Sequence, residues 1–145
     1  KSKIKLSRII KKVLDMFPEK VHLFEVNSIN DININVDEMK FSLAIRNLLD
    51  NAQKYANSDK KIKLYTTLED NRLKINVQDF GPGISKKDMD KLTNPFYRIL
   101  SNNNKKPGFG LGLTICKKVV NAHGGKLEIT SKVGKGSVFS LIIPI

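Results

Sequence analysis

The sequence predicts a two-layer α/β sandwich with a mixed sheet, in the α+β class. Helical and strand-like segments are interspersed along the 145 residues. Several strand-like segments come in pairs joined by short turns, the pattern of antiparallel hairpins. No internal repeat and no long polar linker divides the chain, so residues 1–145 read as one domain.

Each element has its own signal. Residues 4–17 carry Leu6, Ile9, Ile10, Val13, Leu14 and Phe17 at helical spacing, with lysines opposite and Pro18 as the stop. Residues 21–26 and 32–36 alternate apolar and polar and predict two short strands. Asp37 suits the N-cap of a long helix running to about Ala56. Asn57, Ser58 and Asp59 then make a turn. Ile62, Leu64 and Thr66 alternate, as do Leu73, Ile75 and Val77, with Glu69-Asp70-Asn71 as the hairpin turn between them. After the Gly81-Pro82-Gly83 loop comes a short helix near Lys86 to Leu92. Residues 97–108 are polar, have little to bury and are expected to be mobile. Leu111 to Ala122 predicts a helix stopped by Gly124-Gly125. Strands at Leu127 to Thr130 and Ser137 to Ile143 close the chain around Gly134-Lys135-Gly136.

Composition narrows the function classes. A chain this long buries roughly 70% of its unfolded surface, so a core needs no disulfide. Cys116 is the single cysteine, which rules out an internal bridge and fits a reducing, cytosolic setting. It lies on the apolar side of its helix and reads as core. No apolar run approaches the ~18 residues of a membrane span, and no signal-peptide pattern opens the chain. The first residue is Lys1 and not Met, so the chain reads as a piece excised from a longer protein. A net charge of +12 suits nucleic acid, an anionic membrane or a small anionic ligand. The lysines are scattered in short pairs, without a long block or interleaved aromatics, so they read as a solvated surface. No motif supports nucleic-acid binding.

Three groups of residues carry chemistry. In the helix after Asp37, Phe41, Ile45, Leu48 and Ala52 share one face and make the core stripe. Asn47, Asn51, Lys54 and Tyr55 fall on a neighbouring face. An Asn oxygen can ligate Mg²⁺, and a lysine can meet a phosphate oxygen; a solvated polar face is the alternative. Two asparagines in mid-helix are poor helix formers and invite a reason. Asp79 ends the buried face of the strand carrying Leu73, Ile75 and Val77. A buried carboxylate needs partners, and the exocyclic amine of adenine donates where Asp79 accepts. Guanine presents a carbonyl oxygen there and is repelled. The alternative is an Asp capping the turn before Gly81. Gly81 and Gly83 let the backbone approach a flat ligand. Lastly, Gly108-Phe109-Gly110-Leu111-Gly112-Leu113 runs into a helix, whose N-terminal amides and dipole suit phosphates. No strand leads directly into this run, and the Gly-Lys-Ser/Thr of a P-loop is missing.

Together these segments resemble the catalytic ATP-binding domain of sensor histidine kinases. Asn47 to Tyr55 resembles the N box, Asp79-Phe-Gly-Pro-Gly-Ile84 the first glycine box, Asn94-Pro-Phe-Tyr-Arg98 the F box, and Gly108 to Leu113 the second glycine box. Gly134 to Phe139, with Pro144 beyond, is similar to the family's closing strand pair. Order and spacing match over nearly the whole chain.

The resemblance implies a Bergerat fold: about three main helices on a mixed sheet of about five strands, with a flexible ATP lid at about residues 97–110. It implies Mg²⁺ at Asn51 with Asn47 assisting, Lys54 at the phosphates and Tyr55 beside the adenine. Asp79 accepts from the adenine amine, and Gly81, Gly83 and Ile84 line that end. Phe96 anchors the lid, Gly108, Gly110 and Gly112 hinge it, and amides around Leu111 to Leu113 face the phosphates. Arg98, Lys105 and Lys106 are lid candidates for the γ-phosphate. Hydrolytic relatives usually carry a Glu where Asn47 stands. An amide takes up no proton at neutral pH, so Asn47 cannot activate water.

The implied function is transfer of the ATP γ-phosphate to a histidine on a separate dimerisation domain, for relay to a response regulator. The other reading is a regulatory nucleotide-binding module without transfer. The phosphoacceptor is expected to be absent. His22 lacks the acidic neighbour that usually follows such a histidine, and His123 matches a helix-end position used structurally. The resemblance further implies a cytoplasmic domain of a homodimer anchored in the cytoplasmic membrane of a bacterium.

Overall fold

The computed structural model describes residues 1–55, 59–90 and 109–145. The N-terminal boundary differs from the sequence reading. Ser2–Lys5 is a strand, β1, and helix α1 covers only Leu6–Leu14. A tertiary partner decides this: β1 pairs antiparallel with a strand at Asn33–Val36, and the Leu6 amide donates to the Ile32 carbonyl at 2.9 Å. Helical periodicity from Leu6 onward cannot reveal that pairing. At the other end α1 tightens before Pro18, as Met16 and Phe17 donate to Val13 and Leu14. Phe17 still reaches the core and meets Phe24 edge to face, with ring centroids 5.2 Å apart.

Val21–Leu23 is a 3-10 turn, and only Phe24–Val26 is strand β2. Asn33–Val36 is β3. Helix α2, Glu38–Tyr55, starts where expected: the Lys40 amide donates to Asp37 Oδ1 at 3.0 Å. That bond holds the Asp37 carboxyl below its ordinary range. Strands β4, Ile62–Glu69, and β5, Arg72–Asp79, form the expected hairpin. Asp70 (φ 53°) and Asn71 (φ 58°) both sit in the left-handed region, the signature of a two-residue type I′ turn. The short helix α3 is Lys86–Met89, capped by Ser85. Helix α4 is Phe109–Ala122, two residues longer at its start than expected. Strands β6, Lys126–Lys132, and β7, Gly136–Pro144, end the chain.

Five strands form one mixed sheet in the order β2-β4-β5-β7-β6, with β2 parallel to β4 and the rest antiparallel. Alternation sends Leu64, Leu73, Ile75, Val77, Phe139, Leu141 and Ile143 to the helix-covered face, where all are buried. Phe41, Ile45, Leu48 and Ala52 of α2 meet them as the core stripe requires, and α1 and α4 supply Leu6, Ile9, Val13, Leu113, Cys116 and Val120. The layers are therefore those the pattern predicts.

Helix α4 ends in a Schellman motif: Gly124 (φ 77°) donates to Asn121 and Gly125 to Val120. His123 joins it to the start of α2. Its Nε2 accepts from the Asp37 amide at 3.0 Å, so Nδ1 carries the proton and donates to the Val119 carbonyl at 2.7 Å. This is the structural helix-end role expected for His123. His22 is exposed in the 3-10 turn and not in a strand.

Candidate functional site

Helix α2 presents two adjoining faces. The core stripe locks its rotation, and that rotation places Asn47, Asn51 and Lys54 at the edge of the core. Asn47 is half-buried. Asn51 is only 6% exposed, and its Nδ2 has no hydrogen-bond partner among the described residues. A buried donor left unpaired costs about 1–3 kcal/mol, which makes Asn51 a candidate for a partner from outside the protein. Lys54 Nζ lies 3.1 Å from Asp50 Oδ2, both side chains more than a third exposed. Such an exposed pair contributes at most about 1 kcal/mol, so Lys54 can exchange it for another anion. Tyr55 closes the helix.

Asp79 is the last residue of β5 and is 8% exposed. Burial pushes its carboxyl above the ordinary value, while backbone N–H groups of Gly81 and Ser137 pull it down. The Gly81 amide donates to Oδ1 at 3.0 Å. Asp79 therefore both lies at the buried strand end and caps the following turn; the two sequence readings coexist in one residue. Beyond it, Gly83 has φ 78°, and a Cβ there would strike the Lys132 backbone carbonyl. Only glycine fits. Ile84 is buried at the end of the loop.

The first turn of α4 contains Gly110, Leu111 and Gly112, so these glycines are helical and not part of a hinge loop. The first amides of a helix have no partner within it and carry the positive end of its dipole. Gly112 lies against Asn51: a Cβ on it would stand 3.5 Å from the Asn51 amide atoms. The N box and the second glycine box thus meet. Leu113 is fully buried, so its side chain anchors α4 and only its backbone is left for a ligand. Because α2 packs on both α4 and β5, one structural unit holds Asn51, Gly112 and Asp79.

This arrangement has a counterpart among known proteins. The profile of histidine kinase-, DNA gyrase B- and HSP90-like ATPases matches residues 36–145. The chain belongs to this family. The adaptive-response sensory kinase SasA of Gloeothece citriformis is 33% identical over 141 residues, covering 94% of this chain and 35% of that protein. The signal transduction histidine-protein kinase ArlS of Staphylococcus aureus strain USA300 is 34% identical over 113 residues, 77% of this chain and 25% of that protein. The chain spans between about a fifth and about a third of the length of the curated relatives it matches. The mycobacterial sensor histidine kinase MprB shares the fold, with a TM-score of 0.86 at 24% identity over 99% of this chain and 97% of that one. The catalytic domain of the histidine kinase ThkA has a TM-score of 0.80 at 28% identity over 99% and 94% of the two chains.

The candidate site residues that the structure describes lie on α2, at the end of β5 and at the start of α4. Phe96, Arg98, Lys105, Lys106 and Gly108 lie outside the described residues. Two serines escaped the sequence reading. Ser137 is the β7 register partner of Asp79, is buried, and brings its amide to that carboxylate. Ser131 accepts from the Ile84 amide at 2.7 Å. Ser137 was legible in part, standing inside Gly134 to Phe139; Ser131 had no local signal, because its partners are 47 residues away or across a hairpin. No helix among the described residues is long and apolar enough to cross a membrane.

Proposed function

We propose that this domain binds Mg²⁺-ATP and donates its γ-phosphate to a histidine on a separate dimerisation domain, for relay to a response regulator. The observation that carries the reading is the buried Asn51 Nδ2, unpaired among the described residues, on a side chain that lies against Gly112 at the start of α4. One amide supplies an oxygen for a hard cation and N–H groups for phosphate oxygens. The residues therefore fit the group: Asn51 and Asn47 would hold Mg²⁺, and the ion would offset charge on the transferring phosphoryl group. Lys54 would leave Asp50 for a phosphate. Asp79, a buried acceptor at the end of β5, would select adenine by its exocyclic amine.

Asn47 supports transfer over hydrolysis. It has no proton-accepting group, so water is not activated, whereas an imidazole nitrogen is already a nucleophile. The related proteins named above are histidine kinases. The dimerisation partner, the lid at about residues 97–110, the homodimer and a membrane anchor elsewhere in the protein belong to this proposal. The test mixes the domain with Mg²⁺-ATP and the histidine-bearing dimerisation domain of the same protein. Acid-labile, base-stable phosphate on that partner is expected. ATP binding without transfer would instead identify a regulatory nucleotide-binding module.

A further inference from the structure

The loop from Asp79 to Ile84 is fastened to the β6–β7 hairpin at four points. The Gly134 amide donates to the Pro82 carbonyl at 2.8 Å. Gly83 sits so close to Lys132 that no Cβ fits between them. Gly136 sits equally close to the Asp79 backbone carbonyl. The fourth point is a side chain. Ser131 Oγ accepts from the Ile84 amide at 2.7 Å, lies 3.0 Å from the Gly136 carbonyl, and lies 2.8 Å from Ser137 Oγ.

A hydroxyl has one proton and two lone pairs. The Gly136 carbonyl can only accept, so Ser131 donates to it. The Ile84 amide can only donate, so it takes one lone pair. The second lone pair then accepts from Ser137, which makes Ser137 the donor. With its proton committed to Ser131, Ser137 Oγ is left as an acceptor. It stands beside the Asp79 carboxylate, its register partner across β5 and β7. This end of the candidate site is thereby set to one polarity, acceptor beside acceptor.

We infer that Ser131 is a positioning residue for base recognition. It touches no ligand; it fixes the backbone of the first glycine box at Ile84 and holds the Ser137 hydroxyl in its accepting orientation. This rests on the reading of Asp79 as the adenine acceptor. Without the Ser131 hydroxyl, Ser137 is free to donate its proton to the Asp79 carboxylate beside it, which takes acceptor capacity away from the adenine amine, so the preference for adenine over guanine falls.

The experiment measures equilibrium binding of Mg²⁺-ATP and Mg²⁺-GTP to the wild-type domain, Ser131→Ala and Ser140→Ala, at a temperature where circular dichroism shows each folded. Ser140 is a control: it is buried in the neighbouring strand β7 and donates to Asn76 Oδ1 at 2.6 Å, away from the loop. Ser131→Ala is expected to weaken ATP about tenfold and to narrow the ATP-to-GTP ratio by a similar factor. Ser140→Ala should lower the melting temperature and leave both affinities alone. If Ser131→Ala does not fold, the near-isosteric pair Ser131→Thr and Ser131→Val isolates the hydroxyl, and only the valine should lose affinity and selectivity. Wild-type ATP affinity and selectivity in Ser131→Ala, or in Ser131→Val, would overturn the inference while leaving the ATP site intact. A wild-type domain that binds no ATP would overturn the site itself.

Discussion

At the scale of single residues, the site is a set of groups whose own interests conflict with the fold. Asp79 is held in surroundings that favour its neutral form. An unfolded Asp titrates near its ordinary 3.8, and the folded group titrates higher. Between those values the folded state binds more protons, so the Asp79 contribution to stability is fullest below the unfolded pKa and is lost as pH rises through the folded one. Asp79→Asn removes that burden. The ligand-free variant should melt at or above the wild-type temperature at neutral pH, in a calorimetric scan, while ATP affinity falls by more than about 1 kcal/mol as part of an acceptor becomes a donor facing a donor. Lower stability with unchanged affinity would remove Asp79 from the site. Asn51→Ala makes the parallel case: deleting a buried side chain whose Nδ2 has no partner should leave stability within about 1 kcal/mol of wild type, yet abolish the dependence of ATP binding on Mg²⁺. Cys116 has the opposite character. Its thiol donates to the Ala44 carbonyl at 3.2 Å and is pushed up to about 12, so it should resist alkylation until the domain unfolds.

At the scale of elements, rigid pieces position those residues. The loop after β5 depends on Gly83. Gly83→Ala must adopt φ 78° and clash with Lys132, so it should destabilise the domain by roughly 1–3 kcal/mol in urea titration and weaken ATP as well. His123 ties the end of α4 to the start of α2. His123→Ala strands the Asp37 amide and should cost about 1–3 kcal/mol; stability within a few tenths of wild type would mean that the link is idle. Legibility follows the same division. The α2 face and the Asp79 strand end were readable because helix and strand periods place side chains by counting alone. The Asp37 cap and the Gly124-Gly125 stop were readable because capping is local. Strand β1, the 3-10 turn at Val21–Leu23, the helical start of α4 and the Ser131 brace were not. Strand β1 and the Ser131 brace are each decided by a partner distant in sequence: Asn33–Val36 for β1, Ile84 and the β7 strand for Ser131.

At the scale of the whole molecule, the charge of +12 sits on lysines scattered along the sequence. Such an excess repels itself and attracts anionic ligands, and salt screens both effects. Raising NaCl should therefore raise the melting temperature of the ligand-free domain and lower its affinity for ATP, two opposite trends from one cause. The account's central claim is that the candidate site on α2, the end of β5 and the start of α4 is an adenine- and Mg²⁺-dependent nucleotide site. Isothermal titration of this domain tests it most directly, with ATP plus Mg²⁺, ATP plus a chelator, and GTP plus Mg²⁺ as the three titrants. Saturable one-to-one binding of Mg²⁺-ATP, weakened by the chelator and by the change of base, is the predicted result. Equal binding of ATP and GTP, or indifference to Mg²⁺, would contradict the roles given to Asp79 and Asn51.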